Sequence, residues 1–170
     1  DLRDTAPRVP DLGLVRGGRI FLGLICAQVV FGAFMAGTRA GYLYQTFPDM
    51  NGVWVPASWL DLSPTWLNFF ENHHTIHFVH RSLGWVVLFA GFWLAYSGFR
   101  KAQDRRQVRA AQGLLVIMLF QFVIGVLTVL YSVPVSLGAI HQIGAFFTIS
   151  AILLFIHRFK NVESGQQAAV

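Results

Sequence analysis

The chain has 170 residues, 55% of them hydrophobic and only 12% charged, with a mean hydropathy of +0.54; soluble domains average about 45–50% apolar and about 25% charged. This is the composition of a membrane protein, and its 16 Phe and 5 Trp exclude the disordered class and a nucleic-acid-binding class, whatever the net charge of +5 suggests. The single cysteine, Cys26, sits in an apolar run, which excludes an intramolecular disulfide and a cysteine metal site.

Residues 1–17 form a polar N-terminal segment. The stretch up to Arg19 mixes Arg3, Arg8, Arg16 and Arg19 with Asp1, Asp4 and Asp11, which is not the pattern of a signal peptide. Asp rather than Met at its start leaves open that the chain is a piece or one half of something longer. Four apolar runs follow, at about 18–37, 77–99, 110–131 and 137–157. Each has about the 20 residues that a helix needs to cross a hydrocarbon core of about 30 Å. A long connection, 38–76, separates the first two runs, and short ones near 100–109 and 132–136 separate the rest. The expected fold is all-α: a polytopic membrane four-helix bundle over residues 18–160, made of two helix hairpins, with a tail at 161–170.

Eleven of the 13 Lys and Arg residues fall at one end, in the N-terminal segment, in the loop holding Arg100, Lys101, Arg105, Arg106 and Arg109, and at Arg158 and Lys160. Only Arg39 and Arg81 fall at the other. This asymmetry predicts that both termini face the cytoplasm, or the matrix of a mitochondrion, and that the loop 38–76 faces outward. That loop carries Trp54, Trp59, Trp66, Phe69 and Phe70 among Pro48, Pro56 and Pro64, the composition of a segment lying in the headgroup layer.

The two hairpins repeat. Gln28-Val29-Val30-Phe31-Gly32 in the first span matches Gln121-Phe122-Val123-Ile124-Gly125 in the third, and the second and fourth spans each carry a His toward the outer end followed by a nearby Gly, His80 with Gly84 and His141 with Gly144. Both hairpins run in the same sense, so the repeats are parallel, related by an axis along the membrane normal.

Five of the six histidines, His73, His74, His77, His80 and His141, lie toward the outer side. His73, His77 and His80 share one helical face at i, i+4 and i+7. With the second span starting near Asn72 and the fourth near Pro134, His80 lies ~12 Å and His141 ~10 Å along their helices. Equal depth in equivalent spans lets the two face each other across a bundle core, as two axial ligands of one haem iron must. An ionisable residue inside a membrane span is a functional candidate by default. His77 is expected to line the pocket or to hydrogen-bond, and His157 to be an interfacial residue at the inner end. Arg81, and more weakly Arg39, are candidates to bind a haem propionate, since guanidinium grips a carboxylate in a planar fork. The competing reading for Arg81 is a salt bridge with Glu71, Asp49 or Asp61. Small residues at Gly23, Ala27, Gly32 and Ala36, and at Gly91 and Ala95, are expected to let helices approach closely, and Gln28 and Gln121 to hydrogen-bond between helices.

Taken together, the run Gly32-Ala33-Phe34-Met35-Ala36-Gly37-Thr38-Arg39-Ala40-Gly41, the segment Thr46-Phe47-Pro48-Asp49-Met50-Asn51-Gly52, Asn68-Phe69-Phe70-Glu71-Asn72, His80-Arg81 and His141-Gln142 resemble the C-terminal half of the haem A synthase family over roughly residues 18–160. The resemblance implies one of two fused four-helix bundles in an enzyme that oxidises the C8 methyl of haem O to the formyl of haem A for cytochrome oxidase. It implies a haem b held by His80 and His141 in this half, with His77, Arg81 and Arg39 around it. The family's catalytic half has a Glu three residues before its first His ligand, where this chain has His77, so the resemblance is to the cofactor-bearing half. The absence of a cysteine pair in the first outer loop resembles the cysteine-free subgroup of proteobacteria and mitochondria, which implies a bacterial inner membrane or a mitochondrial one. The implied partners are an N-terminal catalytic bundle, fused or separate, the substrate haem O, haem O synthase, the cytochrome oxidase assembly machinery and membrane lipid, with no nucleic acid. Against this stand a stand-alone b-type membrane cytochrome, a non-haem metal oxygenase using His73, His74, His77 and His80, and a transporter.

Overall fold

The structure is a computed structural model and describes residues 9–160; the first eight residues and the tail 161–170 lie outside the described residues. Four long helices carry the fold: α1 (Leu12–Gly37), α3 (His73–Lys101), α4 (Arg105–Leu130) and α5 (Val135–Lys160), with a one-turn helix α2 (Asn68–Glu71) in the long loop. Each of the four is long and apolar enough to cross a membrane, so the chain is an all-α membrane bundle. Trp93, Val116 and Phe146, at 72%, 65% and 66% exposure, present the apolar outer surface that lipid requires.

The helices run past the apolar stretches that mark them in the sequence. α1 begins six residues before residue 18, and α3 and α4 begin four and five residues before 77 and 110. A helix end needs its first N–H groups satisfied, and side chains supply this without apolar residues. Asp11 accepts from the Leu14 N–H at 2.8 Å, Asn72 from the N–H groups of His74 and Thr75, and Asp104 from the Gln107 N–H at 2.7 Å. The polar first turns at His73-His74 and Arg105-Arg106 therefore stay helical.

The hairpin partners α1–α3 and α4–α5 pack on each other, and α3–α4 and α1–α5 close the ring. The half of the bundle nearer the termini is solid. Phe21 and Ile25 of α1, Leu94 of α3, Leu114 and Met118 of α4 and Phe155 of α5 belong to one buried cluster there. Close approach needs residues without side chains: a Cβ on Gly91 would overlap the Met118 methyl, and one on Gly98 would lie 2.6 Å from the Phe155 ring. At this end Lys101 pairs with Asp11 at 2.9 Å, the Asp11 N–H donates to the Phe159 carbonyl and the Gln107 amide to the Arg158 carbonyl at 3.1 Å.

The other half is hollow and is roofed by the long loop. The Asn68 amide donates to the carbonyls of Leu62 and Thr65, while its oxygen accepts from the Leu62 N–H and from the Asn72 amide. The Asn72 amide also donates to the Ser58 carbonyl at 2.8 Å, and the Thr75 hydroxyl donates to the Trp59 carbonyl. Side chains of α2, of the α3 cap and of the first α3 turn thus hold the loop backbone. Trp54, Trp66 and Phe70 remain exposed, as an interfacial segment requires.

Candidate functional site

The hollow end is a cavity of about 670 Å³ reached by all four long helices, within the range of small-molecule and cofactor sites. His80 and His141 both line it. They come from α3 and α5, which lie diagonally in the ring of packed helices, so the imidazoles belong to opposite walls. Each ring sits where the facing hairpin helix has no side chain. A Cβ on Gly32 would lie 3.2 Å from His80 Cε1, and one on Gly125 would lie 2.8 Å from His141 Cε1. Gln28 and Gln121, one turn from those glycines, line the same space. The Gln28 amide nitrogen is 3.4 Å from His80 Nε2, and the Gln121 amide donates to the His141 carbonyl at 2.9 Å.

Apolar side chains, among them Met35, Val87, Leu88, Met118, Val126 and Val129, complete the walls. Among the described residues no Asp or Glu lines the cavity. Two imidazole donors on opposing walls of an apolar slot suit the two axial positions of a haem iron. Clusters of three or more His, Cys, Asp or Glu that could hold a bare metal ion do not occur among the described residues, which leaves the non-haem oxygenase reading without its ligand set.

His77 is buried and both its nitrogens are engaged: Nδ1 with the Ala40 carbonyl at 2.9 Å and Nε2 with Arg81 at 3.0 Å. The arginine can only donate, so Nε2 accepts and Nδ1 carries the proton. Arg81 lines the cavity, but its two Nη atoms also donate to the carbonyls of Thr46, Asp49 and Tyr44. Its hydrogen bond with Asp49 is to the backbone carbonyl, while the Asp49 carboxylate accepts from the Thr46 hydroxyl at 2.5 Å and attracts the guanidinium by charge. That hydroxyl, above all, holds the Asp49 carboxyl below its ordinary range. Arg39, in left-handed backbone at φ 57°, lines the cavity with an exposed side chain.

The remaining histidines are elsewhere. His74 Nδ1 meets the Tyr44 hydroxyl at 2.6 Å, and burial raises the Tyr44 phenol above its ordinary value. His73 is exposed and lines a shallow pocket beside the loop with Asp61 and Glu71. His157 is exposed near the end of α5.

Several wall residues carry no sequence signal of their own. Phe47 stacks on Trp85 at 5.4 Å and lines the cavity from the loop. Val133 lines it from the α4–α5 turn, where Ser132 and Val133 take φ of 61° and 56°. A β-branched residue in that region costs about 1–3 kcal/mol, a strain tolerated beside the cavity. The Gln and Gly positions did have a signal, the Gln-x-x-x-Gly repeat.

The family model described as "COX15-CtaA: Cytochrome oxidase assembly protein" matches residues 4–153. Proteins named "Heme A synthase" are similar to the chain. One from Parvibaculum lavamentivorans is 37% identical over 146 residues, covering 86% of this chain and 41% of that protein. One from a Bradyrhizobium species is 37% identical over 167 residues, 94% of this chain and 45% of that protein. One from Bartonella henselae is 39% identical over 147 residues, 86% of this chain and 40% of that protein. The chain thus spans less than half the length of these relatives. No solved structure matches. With nearly all of its bundle inside the matched residues, the chain belongs to the COX15-CtaA family of cytochrome oxidase assembly proteins.

Proposed function

We propose that this chain is the haem b-bearing, C-terminal half of a haem A synthase, an oxidoreductase that converts the C8 methyl of haem O to a formyl group, with His80 and His141 as the axial ligands. The observation that carries the reading is the pair of imidazoles lining one 670 Å³ cavity, each seated over a glycine of the neighbouring helix. A haem held by these two imidazoles would supply electron transfer or structural support to this half. The protein residues do the rest. His80 and His141 hold the iron, the glycines leave the rings their places, and the apolar walls exclude water. Arg39 and Arg81, at the loop end of the cavity, neutralise the propionates, Arg81 with its remaining Nε–H or by releasing a loop carbonyl.

Among the described residues no Asp or Glu lines the cavity and both His77 nitrogens are committed, which supports an electron-transfer or structural role for this half. In this reading, oxidation of haem O belongs to a partner four-helix bundle, fused or separate, that works with haem O synthase and the cytochrome oxidase assembly machinery. The excess of Lys and Arg at the end that carries the termini supports an orientation with both termini inside, in a bacterial or mitochondrial inner membrane. A second reading, a stand-alone b-type cytochrome, is favoured by one observation: both ligands come from this chain.

The test is a reduced-minus-oxidised absorption spectrum of the detergent-purified chain, with haem type assigned after extraction, repeated for His80→Ala and His141→Ala. A sharp low-spin b-type spectrum lost in both variants is expected. Unchanged haem stoichiometry in both would overturn the ligand assignment. Conversion of haem O only when the partner bundle is present separates the synthase from the electron carrier.

A further inference from the structure

Four buried polar atoms around the cavity have no hydrogen-bond partner: Nδ1 of His80, Nδ1 of His141, Oε1 of Gln28 and Oε1 of Gln121. Leaving such an atom unsatisfied costs about 1–3 kcal/mol, and four in one site call for a reason. They sort into two complementary sets. In each hairpin an imidazole nitrogen and an amide oxygen are left over, and in each the amide belongs to the helix packed against the one that carries the imidazole.

An imidazole that gives Nε2 to a metal carries its proton on Nδ1, and ligating histidines almost always donate that N–H to an acceptor, which fixes the ring and raises its basicity. Here neither Nδ1 has an acceptor in the protein as it stands; the Gln28 amide nitrogen lies at His80 Nε2 and the Gln121 amide at the His141 backbone carbonyl, each with its oxygen unpartnered, so both amide heads must leave these contacts to meet Nδ1 once Nε2 is given to the iron. We infer that Gln28 and Gln121 are the positioning residues of the two haem ligands, each accepting the Nδ1–H of the histidine in its own hairpin when haem is held. The inference rests on the proposed His80–His141 ligation.

Room for the movement is built in. A Cβ on Gly84 would lie 3.5 Å from the Gln28 amide nitrogen, and one on Gly144 would overlap Gln121 Oε1. Gly144 is therefore occupied by the glutamine head, and moving that head exchanges its bond to the His141 carbonyl for one from Nδ1–H to Oε1. The Gln121 amide already touches His141 through its carbonyl.

The test uses the full chain loaded with haem b and compares wild type with Gln28→Leu, Gln121→Leu, Gln28→Glu, Gln121→Glu and Gly144→Ala. The readouts are the midpoint potential, the low-spin g values and the dissociation of ferric haem. Loss of the acceptor weakens the imidazole as a ligand. Both leucine variants are expected to show a raised potential, altered g values and about 10- to 100-fold weaker retention of haem. The glutamate variants, with a stronger acceptor, are expected to lower the potential and retain haem. Gly144→Ala displaces Gln121 Oε1 without changing its chemistry, so its shift is expected to follow that of Gln121→Leu; it also carries the test if a leucine variant fails to fold. Variants that load haem with wild-type potential, g values and retention would overturn the role of the glutamines alone. A wild-type chain that takes up no bis-histidine haem would overturn the ligation on which it rests, and this inference with it.

Discussion

Gly125→Ala sets helix stability against ligand position. An alanine Cβ at 125 would lie 2.8 Å from His141 Cε1 and 3.4 and 3.5 Å from its two nitrogens. Ordinary contact starts near 3.4 Å, so the imidazole must retreat by about 0.6 Å, and the ring is rigid. At position 32 the equivalent approach to His80 Cε1 is 3.2 Å, and a retreat of a few tenths of an ångström suffices. In both places alanine favours the helix over glycine by about 0.5–1 kcal/mol. Gly125→Ala is therefore expected to leave the haem-free protein as stable as wild type or slightly more so. Its ferric haem retention should fall about 10- to 100-fold, the range in which misplaced ligation is felt, with a several-fold smaller loss in Gly32→Ala. Gly23 and Gly113, where an added methyl would meet nothing within 4 Å, provide controls in which only the helix gain is expected. Haem titration with thermal unfolding of the haem-free forms measures both quantities. Equal retention in the two alanine variants, or a loss of haem-free stability in Gly125→Ala, would refute the seating argument.

Arg81→Ala removes donors from the Thr46, Asp49 and Tyr44 carbonyls, each charge-assisted bond contributing about 1.5–3 kcal/mol. Protease cleavage and amide exchange in the segment 44–52 are expected to accelerate, with Arg39→Ala leaving both unchanged; equal protection in the two would mean that Arg81 does not hold the loop. His157→Ala, far from the cavity, is expected to leave haem retention untouched. Asn72→Ala removes the cap of α3 and the bond to the Ser58 carbonyl, a loss of about 2–4 kcal/mol from cap and orphaned partners together; a change below about 0.5 kcal/mol in denaturant unfolding would contradict it. The Asp11 carboxyl is held below its ordinary value, first by the Leu14 N–H and then by Lys101 against an opposing burial effect. Its contribution is therefore complete above pH ~4 and is lost as pH falls through the lower, folded value. Thermal unfolding between pH ~5 and ~2 should show this loss in wild type and less of it in Asp11→Asn.

The spans could be read from the sequence because lipid imposes a composition on any helix that crosses it, and that composition is local. The helix ends could not, because they are set by single side chains, Asp11, Asn72 and Asp104, whose capping bonds matter more than the polarity of the turns that follow. Arg81 shows a second limit. A charge count offers Glu71, Asp49 and Asp61 as partners, whereas the guanidinium meets backbone carbonyls brought to it by a loop more than thirty residues away in sequence. Spacing of small residues is blind in the same way. Gly23 and Gly32 belong to one stripe, yet Gly23 faces open space and Gly32 faces an imidazole.

What the duplication does make legible is how the site is divided. Each hairpin brings a Gln-x-x-x-Gly on its first helix to a histidine on its second, and neither hairpin alone has two opposing imidazoles, so the cavity requires both. The repeat is broken where orientation has to be decided. The positions equivalent to His77, Arg81 and Arg39 are Gly138, Gln142 and Ser132. All the cationic side chains that line the cavity therefore belong to the first hairpin, and the second hairpin offers amide, hydroxyl and apolar groups. A ligand with carboxylates on one edge and an apolar body meets two walls of the same shape but different charge. Under the proposed ligation, backbone symmetry would set the two histidines at equal depth, and the lost sequence symmetry would turn a carboxylate edge toward Arg39 and Arg81.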